Sequence, residues 1–170
     1  MKRLTLILIL VASTVFGATP AEMNAQRDLA ISAKAAVVEK KKSALLVFDV
    51  TDFIRGLAIA DRILSLDPAM GDFSFSSGEN FRASGQSQYA AGCSKVAIAD
   101  QLFAEAEVHR MNFEPTAATP KYYAAMVGYD SSRLQEFAYA SSYWFAASMA
   151  YEIAIQWYQM SQPPLPMPMI

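Results

Sequence analysis

His109 is the one histidine in this 170-residue chain, and Glu105 stands four residues before it. On a helix that spacing puts both side chains on one face, where a carboxylate and an imidazole could begin a metal site. A metal needs further ligands. There is no second His, Cys93 is the lone cysteine, and the paired Glu-x-x-His of di-metal helical bundles has a different spacing. No metal is therefore expected, and Glu105 and His109 read as a surface pair. A Cys93–His109 nucleophilic dyad fails on geometry. On one helix the two residues lie about 24 Å apart along the axis and about 160° apart around it.

Other chemistries lack their residues. The single His leaves a serine triad without support, and Gly-x-Ser-x-Gly, a phosphate loop and a haem-attachment Cys-x-x-Cys-His are all missing. Non-covalent haem held by His109 and one of nine Met residues stays open as an alternative, but no cofactor is expected. Asp49, Asp52 and Asp61 are acids within an apolar stretch. Asp49 and Asp52 share a helical face, and Arg55, three residues after Asp52, is expected to pair with it. These acids read as the solvent face of an amphipathic helix rather than as an acid–base couple.

The most distinctive pattern is aromatic. Phe137, Trp144, Tyr151 and Tyr158 recur every seven residues, a spacing that keeps them near one helical stripe with a drift of about 20° per heptad. Small residues such as Ala140, Ala147 and Ser148 lie between them. The stripe could line a bundle core, with the tyrosine hydroxyls at its wet edge, or form a contact surface for a protein or an apolar ligand. Phe73, Phe75 and Phe81 sit in a Gly- and Ser-rich stretch from Gly71 to about Gln86 that reads as a long loop. These seven aromatics are the candidate contact residues.

The elements that must position them read as helices. Thr19-Pro20-Ala21-Glu22 is a capping box with proline at the first helical position, and helix-forming sequence continues without Gly or Pro to Gly56. Leu45–Val50 could be a short buried strand on composition, yet no turn residues flank it. Asp67-Pro68 ends the element. A helix from Ser87 to about Met111, a short one from Thr119 to about Val127 and a last one from about Arg133 to Met160 follow. The expected fold is all-α: one domain, residues 18–161, with four to six helices in an irregular bundle, then an extended proline-rich tail over 162–170.

The stretch Asp52-Phe53-Ile54-Arg55-Gly56-Leu57-Ala58-Ile59-Ala60-Asp61-Arg62-Ile63-Leu64-Ser65-Leu66-Asp67-Pro68 resembles the turn and second helix of a tetratricopeptide repeat. The resemblance covers about a tenth of the chain and implies a helical hairpin. No second copy follows at the 34-residue period of stacked repeats.

The beginning of the chain has the parts of a secretory signal peptide, assigned here to residues 1–17. Lys2 and Arg3 precede an uncharged run from Leu4 to Phe16, and Val15 and Gly17 provide small residues for cleavage after Gly17, with Ala18 as the alternative. The run is about 13 residues, short of the roughly 20 needed to span a membrane. Losing Lys2 and Arg3 leaves 12 basic against 16 acidic residues, so the net charge moves from −2 to near −4. That balance argues against nucleic-acid or anionic-membrane partners. An exported chain with one cysteine holds itself together by packing and leaves Cys93 as a buried free thiol or an intermolecular bridge. The expectation is a non-catalytic interaction module of the periplasm or envelope, such as an inhibitor, immunity or assembly protein. Its partner would be another exported or envelope protein, and no stable membrane span is expected. Binding of a small apolar ligand and an enzyme of unknown class are the alternatives.

Overall fold

The computed structural model describes residues 17–163. Regular structure among them is entirely helical: α1 (Pro20–Leu64), α2 (Ala69–Met111), α3 (Pro115–Ser131) and α4 (Phe137–Met160). A π-helical turn over Ser132–Glu136 joins α3 to α4 without a break. The described residues thus form three continuous helices, fewer than the four to six expected. The expected leader, residues 1–17, lies outside the described residues but for Gly17, as does the expected tail, residues 162–170, from 164 onward.

Thr19 caps α1 as the sequence predicts. Its hydroxyl accepts from the Glu22 N–H at 3.2 Å, and the Glu22 carboxylate accepts from the Thr19 N–H at 2.8 Å. The helix then runs through Leu45–Val50, which is no strand, and through Asp52, where the tetratricopeptide resemblance implies a turn. Its end is at Leu64, and Asp67 accepts from the Ala69 N–H at 3.2 Å to start α2. Thr119 and Pro120 lie inside α3 rather than at its start, with the Thr119 hydroxyl donating back to the Pro115 carbonyl.

The largest departure from expectation is residues 71–86, which are helix, not loop. Glycine in a helix interior costs roughly 1 kcal/mol against alanine, so something must offset it. A Cβ on Gly71, Gly78 or Gly85 would overlap the ring of Tyr158, Tyr151 or Trp144 respectively. Each glycine leaves a hollow, and each hollow holds one aromatic ring of α4. The residues spaced by seven along α2 are all buried: Gly71, Gly78, Gly85, Gly92, Ala99 and Ala106. On α1 the buried set Met23, Ala30, Val37, Ala44, Thr51 and Ala58 keeps the same step. A strict seven-residue repeat of apolar positions is the pattern of supercoiled helices packed knobs-into-holes.

The chain divides into two compact units. One comprises the described residues up to Lys41 together with Ala90–Glu136, and its core gathers Met23, Ala30, Ala106, Ala118 and Tyr122, with Phe103 and Met126 against them. The other comprises Lys42–Tyr89 with Phe137 onward, and its core gathers Ala58, Ala147 and Tyr151, with Ile54, Phe75 and Ile155 against them. Buried positions step by seven from Tyr122 to Tyr129 on α3, and from Phe137 through Trp144 and Tyr151 to Tyr158 on α4. The interval from Tyr129 to Phe137 is eight, and the π turn lies within it. A π turn takes up one residue more than an α turn, which is the excess in that interval.

At the end of α2 the Phe113 N–H donates to the Arg110 carbonyl and the Glu114 N–H to the His109 carbonyl. These are the two bonds of a Schellman motif, and Phe113 holds its left-handed position with φ of 60°. A β-carbon is unfavourable there. Phe113→Gly is expected to raise stability by about 1 kcal/mol. Gly78→Ala should lower it by about 1–3 kcal/mol through overpacking against Tyr151. Urea unfolding of both variants would check the two signs.

Candidate functional site

The heptad spacing builds the same three-part layer repeatedly. In the unit that includes α3, the Tyr122 hydroxyl donates to Glu107 at 2.7 Å, and Arg27 pairs with the same carboxylate. Seven residues along, the Tyr129 hydroxyl donates to Asp100 at 2.6 Å, and Lys34 pairs with it at 2.7 Å. The unit that includes α4 repeats the layer with Tyr151, Glu79 and Arg55, and again with Tyr158, Asp72 and Arg62. Each layer has a base from α1, an acid from α2 and a phenol from the third helix. Trp144 takes the phenol's place in another layer, its indole N–H donating to the Arg82 carbonyl at 3.3 Å.

Electrostatics follow from this geometry. Burial opposes the charge on Glu107, but hydrogen bonds from Tyr122, Arg27 and Arg110 outweigh it and hold the carboxyl at about 2. Glu79 and Asp100 are lowered by the same balance, and Asp72 is lowered by Arg62 and Tyr158. Burial and the facing carboxylate push Tyr122 up to about 12, and raise Tyr129, Tyr151 and Tyr158 likewise. The phenols remain neutral donors, so they lock the layers rather than supply a base.

The candidate contact residues fall into two groups. Phe137, Trp144, Tyr151 and Tyr158 are buried, and their stripe faces inward. Phe75 packs on Tyr151 with ring centroids 5.3 Å apart. Phe73 is 80% exposed and Phe81 40%. The expected ion pairs are rearranged. Arg55 meets Glu79 rather than Asp52, Asp52 meets Arg82 at 2.7 Å, His109 meets Glu114 at 2.6 Å, and Glu105 meets Lys121. Cys93 is a half-buried free thiol. Among the described residues no group of three His, Cys, Asp or Glu side chains is placed to hold a metal ion. No helix among them is long and apolar enough to cross a membrane.

Two shallow pockets open on the surface. One, of about 280 Å³, lies between α2 and α3 and is lined by Ile98, Leu102, Ala124 and Val127, with Lys95 and Ser131 at its edge. The other, of about 180 Å³, is lined by Leu45, Phe48, Gln86, Tyr89 and Trp144. Beside the π turn, Lys95 pairs with Glu136, whose side chain is 10% exposed. Glu136 Oε2 and Arg133 Nε are buried without a hydrogen-bond partner.

A larger feature escapes a reading based on aromatic spacing. Leu46, Val50, Phe53, Leu57, Ala60 and Leu64 all lie exposed on α1, on the side turned away from its buried Ala44, Thr51 and Ala58. Leu46 is 66% and Phe53 68% exposed. Their spacing alternates four and three, the step of an a/d seam. The signal is present in the sequence, where α1 from Ala44 onward carries apolar residues on more than one side, with Asp49, Asp52, Arg55, Asp61 and Arg62 set among them. A stretch of that kind has more apolar surface than one core face can use. No known protein family matches the chain, and no curated protein or solved structure matches it either.

The lowered carboxylates set an acid limit. A depressed pKa adds stability that is fully present above the ordinary carboxylate range and is lost as pH falls through the folded value. Stability should therefore drop between about pH 5 and pH 2, the latter being the value for Glu107. The raised tyrosines work in the opposite direction, adding stability that is lost as pH rises above about 10. Urea midpoints measured across pH should show both limbs, and Glu107→Gln should flatten the acid one.

Proposed function

We propose that this chain is a non-catalytic helical module of the periplasm or cell envelope that works by protein–protein contact. The observation that carries the reading is the outward face of α1 from Leu46 to Leu64, an uninterrupted apolar stripe set against solvent. Contiguous exposed apolar surface of this kind marks an interaction site. The three-part layers support it from the other side, because they commit the tyrosines and carboxylates to holding helices together. Export rests on the leader-like order of residues 2–17, and the partner is accordingly another exported or envelope protein. Capture by crosslinking in the native host, followed by mass spectrometry, tests the reading. A specific partner retained by the wild type and lost by Phe53→Glu is the expected result; equal recovery with both chains would sink it.

Binding of a small apolar ligand is the second reading. The pocket beside Lys95 favours it, although its 280 Å³ falls just under the roughly 300–1,000 Å³ of ordinary ligand sites. Native mass spectrometry of protein purified from its own host would reveal a bound lipid or pigment.

A further inference from the structure

We propose that the occupant of the α1 face is a second copy of this chain, paired antiparallel through Leu46–Leu64. This rests on the contact-module reading and names its partner. The face has the geometry of half a coiled coil. Positions 46, 50, 53, 57, 60 and 64 follow the a/d step over six successive places and are all apolar. The outer face of α4 also carries exposed apolar residues, including Phe145, Met149 and Ile153, but Ser142 and Gln156 interrupt it. The seam on α1 has no such break.

Gly56 gives an independent pointer. It lies within the exposed part of α1, and a Cβ there would meet nothing within 4 Å. Gly71, Gly78 and Gly85 of α2 are each required by an aromatic ring; a Cβ on Gly56 of α1 would meet nothing in its own chain. A helix-interior glycine without a packing role weakens its helix. It gains a role if another backbone approaches at that point. Ala60, one turn further on, extends the same small surface.

The seam is complementary to itself when it is turned end for end. Antiparallel pairing about the middle of 46–64 sets Leu46 against Leu64 of the second copy, Val50 against its Ala60 and Phe53 against its Leu57. Ala60 then lies against the larger Val50, and Phe53 against Leu57 rather than against another phenylalanine. A parallel pair would instead stack Phe53 on Phe53 and leave Ala60 facing Ala60. Asp49 and Asp61 lie on opposite flanks of the seam, so the antiparallel pair keeps them apart. Those acids also make the face a poor fit for an anionic bilayer. The exposed surface of Leu46, Val50, Phe53, Leu57 and Leu64 is on the order of 600 Å², the lower end of the roughly 600–1,000 Å² that each partner contributes to a stable interface.

The test uses the full chain, expressed with its own N-terminal segment and purified as processed. Sedimentation equilibrium at micromolar concentration should give twice the chain mass. Phe53→Glu should weaken self-association by more than about a hundredfold while its circular dichroism stays that of the wild type. In a Cys93→Ser background, mixing Val50→Cys chains with Ala60→Cys chains should give a disulfide-linked pair containing one of each. Val50→Cys linking to itself would overturn the antiparallel arrangement. A wild-type chain that sediments as a monomer overturns the proposal outright, as does a face that instead binds phosphatidylglycerol vesicles. The two levels separate cleanly. A monomer that still loses a crosslinked foreign partner on Phe53→Glu ends the self-pairing and leaves the contact module standing; a monomer that captures nothing ends both.

Discussion

One steric fit governs this fold: an aromatic ring seated where a helix has no side chain. Gly71, Gly78 and Gly85 are poor helix residues taken singly, and each is held in α2 by a ring that would clash with any larger residue. The fit brings two helices close, and closeness lets the rest of a layer form. With Tyr151 lying on Gly78, its hydroxyl reaches Glu79, and Arg55 reaches the same carboxylate from α1. Apolar contact and polar locking thus depend on one placement. The tyrosine supplies both, with an apolar body and a polar tip.

The locking groups also set where the protons of each layer sit. A catalytic acid or base needs a pKa near its working pH. Here the acids are driven down and the phenols up, in opposite directions away from neutrality. The layers hold each proton on the phenol and each charge on the carboxylate. Such groups are well suited to fixing helix register and poorly suited to transferring protons. What remains available for function is the surface that the layers do not use, above all the outward side of α1.

Much of this was legible in the residues, and the failures have particular causes. The capping box at Thr19 and the seven-residue spacing of Phe137, Trp144, Tyr151 and Tyr158 are local signals, and both are realised. The glycines of α2 are the complement of that aromatic spacing. Their meaning lies in residues 59 to 87 positions away, so composition alone reads them as a loop. The helix start expected at Thr119 and the break expected before Arg133 are overridden for a related reason. Buried positions on both sides of them favour continuing the helix, and the π turn absorbs the residue that does not fit. Spacing along α1 offers Arg55 the nearby Asp52, but helices packed this closely give it Glu79 across the gap.

The recurring layer has a consequence for how such a chain can change in length. A layer draws one position from each of three helices, and the helices advance together in steps of seven. Seven residues added to one helix alone would leave a ring without its hollow and an acid without its base. Growth or trimming that preserves the packing comes in quanta, seven residues taken in concert from all three helices. Single-residue changes can be accommodated only where a helix can locally overfill a turn, as it does at Ser132–Glu136.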